Sequence, residues 1–174
     1  MKDKLYSLFL KHPLICTDTR QIRRGCLFFA LQGERFDGNR FALEALGKGA
    51  AYAVVDNCSV EDPRLIRVPD VLAALQHLSV THRKTFNIPV IALTGSNGKT
   101  TTKELIHAVL ATRFRVTATK GNLNNHIGVP LSLLEMNGET QAGLFEMEAS
   151  HPGEIAFLTE LVRPDAGLKI GRAS

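Results

Sequence analysis

Val90-Ile91-Ala92-Leu93-Thr94-Gly95-Ser96-Asn97-Gly98-Lys99-Thr100-Thr101 decides how this chain folds. Four apolar residues in a row, Val90 to Leu93, predict a strand buried on both faces, as a parallel sheet requires. Gly95 and Gly98 then let the backbone turn tightly and aim several N–H groups at one point. A helix predicted from about Thr100 to Ala111 turns the positive end of its dipole to the same point. A loop between a buried strand and a helix start is the context a phosphate-binding loop needs. Lys99 supplies charge for the β and γ phosphates, and the Thr100 hydroxyl suits magnesium. ATP with Mg2+ is therefore the expected ligand of Thr94, Gly95, Ser96, Asn97, Gly98, Lys99, Thr100 and Thr101. The full G-x-x-x-x-G-K-[ST] pattern lacks its first glycine, because Leu93 stands there. A chance Gly-Lys-Thr turn is the competing reading; the flanking strand, the helix and Gly95 count against it.

Downstream, Arg115 to Thr119 alternates and is rich in β-branched residues, which predicts a second strand. A helix begins near Val129 and runs through Leu134; Leu144 to Met147 reads as a third strand and Gly153 to Val162 as a third helix. Strand alternating with helix implies a doubly wound parallel sheet. Only about three strands are legible before Ser174, too few for a nucleotide-binding sheet covered on both faces.

Upstream, Gly25 to Leu31 reads as a buried strand, with shorter ones at Ala51 to Val55 and Leu65 to Val68. Phe41 to Lys48 has helical spacing, with Leu43 and Leu46 filling its apolar stripe. Asp70 suits an N-cap for a helix carrying Val71, Leu72, Leu75 and Leu78. Pro89 disfavours helix in the residue before it, which places the domain boundary there. The expected organisation is a small α/β domain over 1–86 and a partial phosphate-loop sheet domain over 87–174.

Composition narrows the class. The chain has 174 residues, 44% of them hydrophobic and 22% charged, as ordinary globular domains do. A net charge of +4 is spread along the chain with no basic-aromatic stretch, so neither nucleic acid nor membrane is an expected partner. Cys16, Cys26 and Cys58 have no C-x-x-C spacing, which counts against a disulfide framework or structural zinc and fits a reducing cytoplasm. No signal peptide or span of about 20 apolar residues is present, so the expected location is cytoplasmic.

Leu93-Thr94-Gly95-Ser96-Asn97-Gly98-Lys99-Thr100-Thr101 resembles the variant phosphate loop of the Mur ligases, which build the peptide stem of peptidoglycan. Thr17-Asp18-Thr19-Arg20, Gly25 to Glu34 and Asp37-Gly38 resemble the uridine-nucleotide domain shared by the third and fourth ligases. Gly121-Asn122-Leu123-Asn124-Asn125-His126-Ile127-Gly128-Val129-Pro130, Glu146 and His151-Pro152-Gly153-Glu154-Ile155 resemble the fourth. The resemblance implies an ATP-dependent amide ligase that adds D-alanyl-D-alanine to UDP-N-acetylmuramoyl-tripeptide through an acyl phosphate. It implies no obligate protein partner. The family continues beyond the segment at Ser174 with the rest of the ATP domain and a third domain. A fragment or short variant, inactive alone, is thus expected. A non-catalytic nucleotide-binding derivative and a ligase for the third stem residue stay open.

The resemblance also assigns residues. Lys99 and His151 take catalytic roles; Thr100, Glu146 and His151 belong to the magnesium site. Glu146 ends a predicted parallel strand, where open α/β sheets place ligands; its alternative is a solvated strand-end carboxylate. Glu148 stands where the family pattern usually has glycine, so which glutamate faces the metal is open. Asn122, Asn124 and Asn125 suit a polar sugar-peptide substrate, or are turn residues. Thr19 and Arg20 would meet the uridine diphosphate, since a guanidinium donates in pairs, or Arg20 merely pairs with Asp18. His126 reads as a surface loop residue, and His12, His77, His82 and His107 as helix-surface or boundary residues.

Overall fold

A computed structural model describes residues 2–33 and 36–171. It divides into two compact units, Met1–Leu78 and Ser79–Ser174.

The first unit opens with helix α1 (Lys2–Lys11), followed by strand β1 (Ile15–Cys16) and a 3-10 turn at Thr19–Gln21. Strand β2 (Leu27–Phe29) leads to a hairpin of β3 (Gln32–Gly33) and β4 (Phe36–Asp37). A second 3-10 turn runs into α2 (Ala42–Gly47); β5 (Tyr52–Val55), β6 (Leu65–Arg67) and α3 (Val71–Arg83) complete the series. The main sheet is parallel in the order β1-β2-β5-β6. Its central strand β2 is wholly buried, as its unbroken apolar run requires. Asp70 caps α3 as expected, its Oδ1 accepting the Ala73 N–H at 2.7 Å. Leu43 departs from the expected stripe: it is 44% exposed, while Ala42, Ala45 and Leu46 carry the buried face of α2.

In the second unit, β7 (Val90–Gly95) is followed by α4 (Lys99–Leu110), β8 (Val116–Ala118) and α5 (Gly128–Leu133). Then come β9 (Ala142–Glu146), α6 (Glu154–Val162) and β10 (Ala166–Ile170). The sheet is parallel and has four strands, in the order β10-β7-β9-β8, rather than the three legible in the sequence. β10 is the addition. Gly167 and Lys169 break its short apolar run, and Ala166 to Lys169 are exposed; backbone pairing with β7 makes it a strand. Phe145, Val90, Val129, Leu133 and Leu158 form the core between sheet and helices.

The C-terminal end of α3 belongs to this second unit. His82 is buried, not a surface residue, and its Nε2 lies 2.8 Å from the Met136 carbonyl. Arg83 is also buried and gives its Nε to Val162 O at 2.9 Å and an Nη to Arg163 O at 3.0 Å. Burial pushes the His82 imidazole below its usual range, against the Met136 carbonyl, which favours the protonated form. A folded-state pKa below the unfolded value means the unfolded chain takes up the proton first. Stability is therefore full above about pH 6.5 and falls as the pH drops below it. Urea denaturation across that range is expected to show the slope in the native protein and not in His82→Gln, whose amide can still reach Met136. Equal slopes in both would sink the assignment.

Candidate nucleotide-phosphate site

The site is built where the strands of the second unit end. β7 and β9 lie side by side with Leu93 opposite Glu146, so the glycine loop and Glu146 emerge at the same edge of the sheet. Open parallel sheets gather ligands at this edge because the helix N-termini point there. Gly98 is left-handed (φ 80°) and sits directly before α4, a conformation that a side chain would strain. Lys99 begins that helix, and its Nζ folds back to donate to the Gly95 carbonyl at 2.9 Å. The lysine is thus held inside the loop that it serves.

Thr100 faces β9: its hydroxyl donates to Glu146 Oε1 at 3.2 Å. Asn124 donates to the same oxygen at 2.9 Å and to Glu148 Oε2 at 3.0 Å, so one amide ties two carboxylates together. The Glu146 N–H donates to Thr119 Oγ1 at 3.1 Å, and Lys103 Nζ donates to the Thr119 carbonyl at 2.6 Å. Lys103 is only 1% exposed. Neither Lys103 nor Thr119 stood out in the sequence; the one available signal was that Lys103 lies four residues after Lys99, on the same helix face.

Glu146 is 1% exposed, and its Oε2 is the one buried side-chain nitrogen or oxygen among the described residues without a hydrogen-bond partner. An orphaned carboxylate oxygen beside a threonine hydroxyl is a cost to the fold unless a cation or donor answers it. Hard oxygen donors, one of them ionisable, fit Mg2+, which keeps several waters and takes few protein ligands. Among the described residues no three His, Cys, Asp or Glu side chains converge as a metal cluster, so phosphate and water would complete such a shell.

The other expected residues are placed variously. His151 is not drawn into the cluster: its side chain is 81% exposed and pairs with Glu154 Oε1 at 3.7 Å. Glu154 accepts the N–H groups of His151 and Ser150, which hold its carboxyl below the usual range. Asn125 Oδ1 accepts the Ile127 and Gly128 N–H groups at the start of α5, a turn role rather than an open one. Asn122 is exposed. In the first unit, Arg20 is held by Asp18 through Nε at 2.9 Å and Nη at 2.6 Å, and the pair is exposed at its arginine end. Hydrogen bonds from Arg20 bring the Asp18 carboxyl down to about 2. Thr19 offers its carbonyl to Lys48 Nζ at 3.1 Å.

A glycine loop between a parallel strand and a helix, with a buried carboxylate at the end of the neighbouring strand, marks an α/β domain of the kind that gathers ligands at its strand ends, and comparison with known proteins gives its family. Residues 93–169 match the Mur ligase middle domain, and residues 13–93 match a domain described as Mur ligase family, catalytic domain. The chain belongs to the Mur ligase family. It is similar to the UDP-N-acetylmuramoyl-tripeptide--D-alanyl-D-alanine ligase of Bacillus subtilis (strain 168), 47% identical over 88% of this chain and 34% of that one. Among solved structures it is similar to MurF from Acinetobacter baumannii, 40% identical with a TM-score of 0.83, covering 88% of this chain and 34% of that one. MurF ligase from Thermotoga maritima, solved in complex with ADP, is 35% identical with a TM-score of 0.81, covering 92% of this chain and 38% of that one. The chain spans about a third of the length of the curated relatives it matches. No helix among the described residues is long and apolar enough to cross a membrane.

Proposed function

We propose that this chain supplies the substrate-nucleotide domain and the ATP phosphate grip of a cytoplasmic ligase adding D-alanyl-D-alanine to UDP-N-acetylmuramoyl-tripeptide. The observation that carries this reading is the buried, unanswered Oε2 of Glu146, set beside Thr100 at the mouth of the Gly95–Lys99 loop. In the reaction, the tripeptide carboxylate attacks the γ-phosphorus of ATP, the bond to the β-phosphate oxygen breaks, and ADP leaves. The amine of D-alanyl-D-alanine then attacks the acyl carbon, gives up a proton, and expels inorganic phosphate. Such chemistry is mainly positioning and charge neutralisation. Lys99 would offset charge on the β and γ phosphates, and the loop N–H groups would receive their oxygens. Thr100 and Glu146 would hold Mg2+, which supplies further neutralisation of the phosphate charge when bound.

Asn124 fixes Glu146, and its amide is committed to that task. Of the three asparagines, Asn122 is the one left to face a polar substrate. His151, exposed at the start of α6, would act only by turning toward bound phosphate. Thr19 and Arg20 remain the proposed contacts for the uridine diphosphate, and the phosphates would take Arg20 from Asp18. Relatives of about three times this length carry the named ligase activity, so phosphate binding rather than ligation is the property expected of these 174 residues.

Titration of this chain with ADP and Mg2+ tests the reading. Binding is expected, and Lys99→Met is expected to weaken it roughly tenfold, the worth of one charge-assisted hydrogen bond. Absence of binding to the unaltered chain at millimolar ADP would overturn it.

A further inference from the structure

Lys99, the cation expected to grip phosphate, is already paired. Its Nζ lies 3.3 Å from Glu148 Oε1, and the lysine side chain is only 10% exposed while the glutamate is 50% exposed. Glu148 is itself held at two points by one residue: its N–H donates to the Asn124 carbonyl at 2.8 Å, and its Oε2 accepts from Asn124 Nδ2 at 3.0 Å. The backbone bond fixes where the side chain starts, and the Asn124 amide biases the half-exposed carboxylate toward the loop. The carboxylate stays beside the loop, competing for the same ammonium and repelling the incoming charge.

We propose that Glu148 is an internal competitor for the phosphate-binding lysine, a residue that stays beside the loop and weakens its grip on nucleotide phosphates. The proposal rests on the nucleotide-phosphate reading of the loop. The competition is electrostatic, and part of it lies at a half-exposed carboxylate, so salt screens it. It also acts through Lys99 specifically, since that is the group the glutamate holds.

The test is a double-mutant cycle read by titrating the 174-residue chain with ADP and Mg2+ at low and high salt. Glu148→Gln keeps an acceptor for Asn124 and removes the charge. It is expected to bind ADP about five- to tenfold more tightly than the unaltered chain at low salt, with a smaller gain at high salt. In a Lys99→Met background the same change is expected to give little or no gain. Glu148→Asp, too short to reach Lys99 yet still charged, is expected to give a smaller gain and serves if the glutamine variant does not fold. A gain from E148Q that persists undiminished without Lys99 overturns the proposal, because the charge then acts by another route. No gain from E148Q, together with a clear loss from Lys99→Met, overturns it while leaving the phosphate-loop reading standing. Failure of every variant and of the unaltered chain to bind overturns both.

Discussion

Gly95→Ala is expected to destabilise the second unit by about 3 kcal/mol or more and to abolish its nucleotide binding. Gly95 has φ 149°, outside the range that side-chain-bearing residues adopt with ease, but strain is the lesser part of the effect. A Cβ built there would lie 2.0 Å from the Ile170 carbonyl oxygen, 2.8 Å from its carbon and 2.9 Å from its nitrogen. All three are backbone atoms, and Ile170 is the register partner of Gly95 in the pairing of β10 with β7. No rotamer change can relieve such a contact. Either the end of β10 peels away and leaves the edge of β7 unpaired, or β7 shifts and carries the phosphate loop with it. Gly98→Ala is the internal control. Its φ of 80° is also unfavourable, yet its nearest neighbour would be Ile170 Cγ2 at 4.0 Å, so the cost is conformational strain of about 1–2 kcal/mol. Denaturant unfolding of the two variants checks the argument. If Gly95→Ala proves no less stable than Gly98→Ala, the close approach of β10 is not what makes glycine necessary there.

This pair also shows what the sequence makes legible and what it hides. The loop was readable because glycine, lysine and threonine act through their own backbone and side-chain chemistry, at fixed spacing after an apolar strand. Why Gly95 must be glycine was not readable, since the atom that forbids a side chain belongs to β10, seventy-odd residues away, whose short apolar run is broken by Gly167 and Lys169. The same limit separates Asn124 from Asn125. Both are loop asparagines of equal propensity, yet one is buried between two glutamates and the other caps a turn. A periodicity argument cannot tell their directions apart where no regular element sets them. Lys103 and His82 failed for a related reason. Each is a polar residue on a helix with mixed neighbours, and a distant carbonyl, of Thr119 or Met136, meets its buried end, beside local contacts with Glu104 and Phe86 respectively. The first unit hides a similar hub. Asp56 receives the Val71 N–H at 3.0 Å and the Asn39 and Gln32 amides at 2.9 Å each. Burial disfavours its charge, but these donors outweigh it and hold the carboxyl below the usual range.

Glu146→Gln is expected to separate stability from function at the site. The substitution preserves shape and keeps an oxygen that can accept from Thr100 and Asn124 as Oε1 does now. It replaces the unpartnered Oε2 with an NH2, so one unanswered buried group is exchanged for another, and a neutral one is cheaper to desolvate than a carboxylate. Without ligand, the variant is therefore expected to be as stable as the native protein or more so, by up to about 1 kcal/mol. Nucleotide binding that depends on Mg2+ is expected to fall on the order of a hundredfold, because an amide nitrogen offers the cation neither charge nor a lone pair. Thermal melting with and without ADP and Mg2+ reads both effects at once: the native chain shifts upward with ligand, and the variant starts level or higher and does not shift. A purely structural carboxylate would give the opposite pattern, with a loss of ligand-free stability and an unchanged ligand response. The two outcomes differ in sign, so the orphaned oxygen is either a binding group whose desolvation the fold tolerates or a packing fault, and one melting series decides between them.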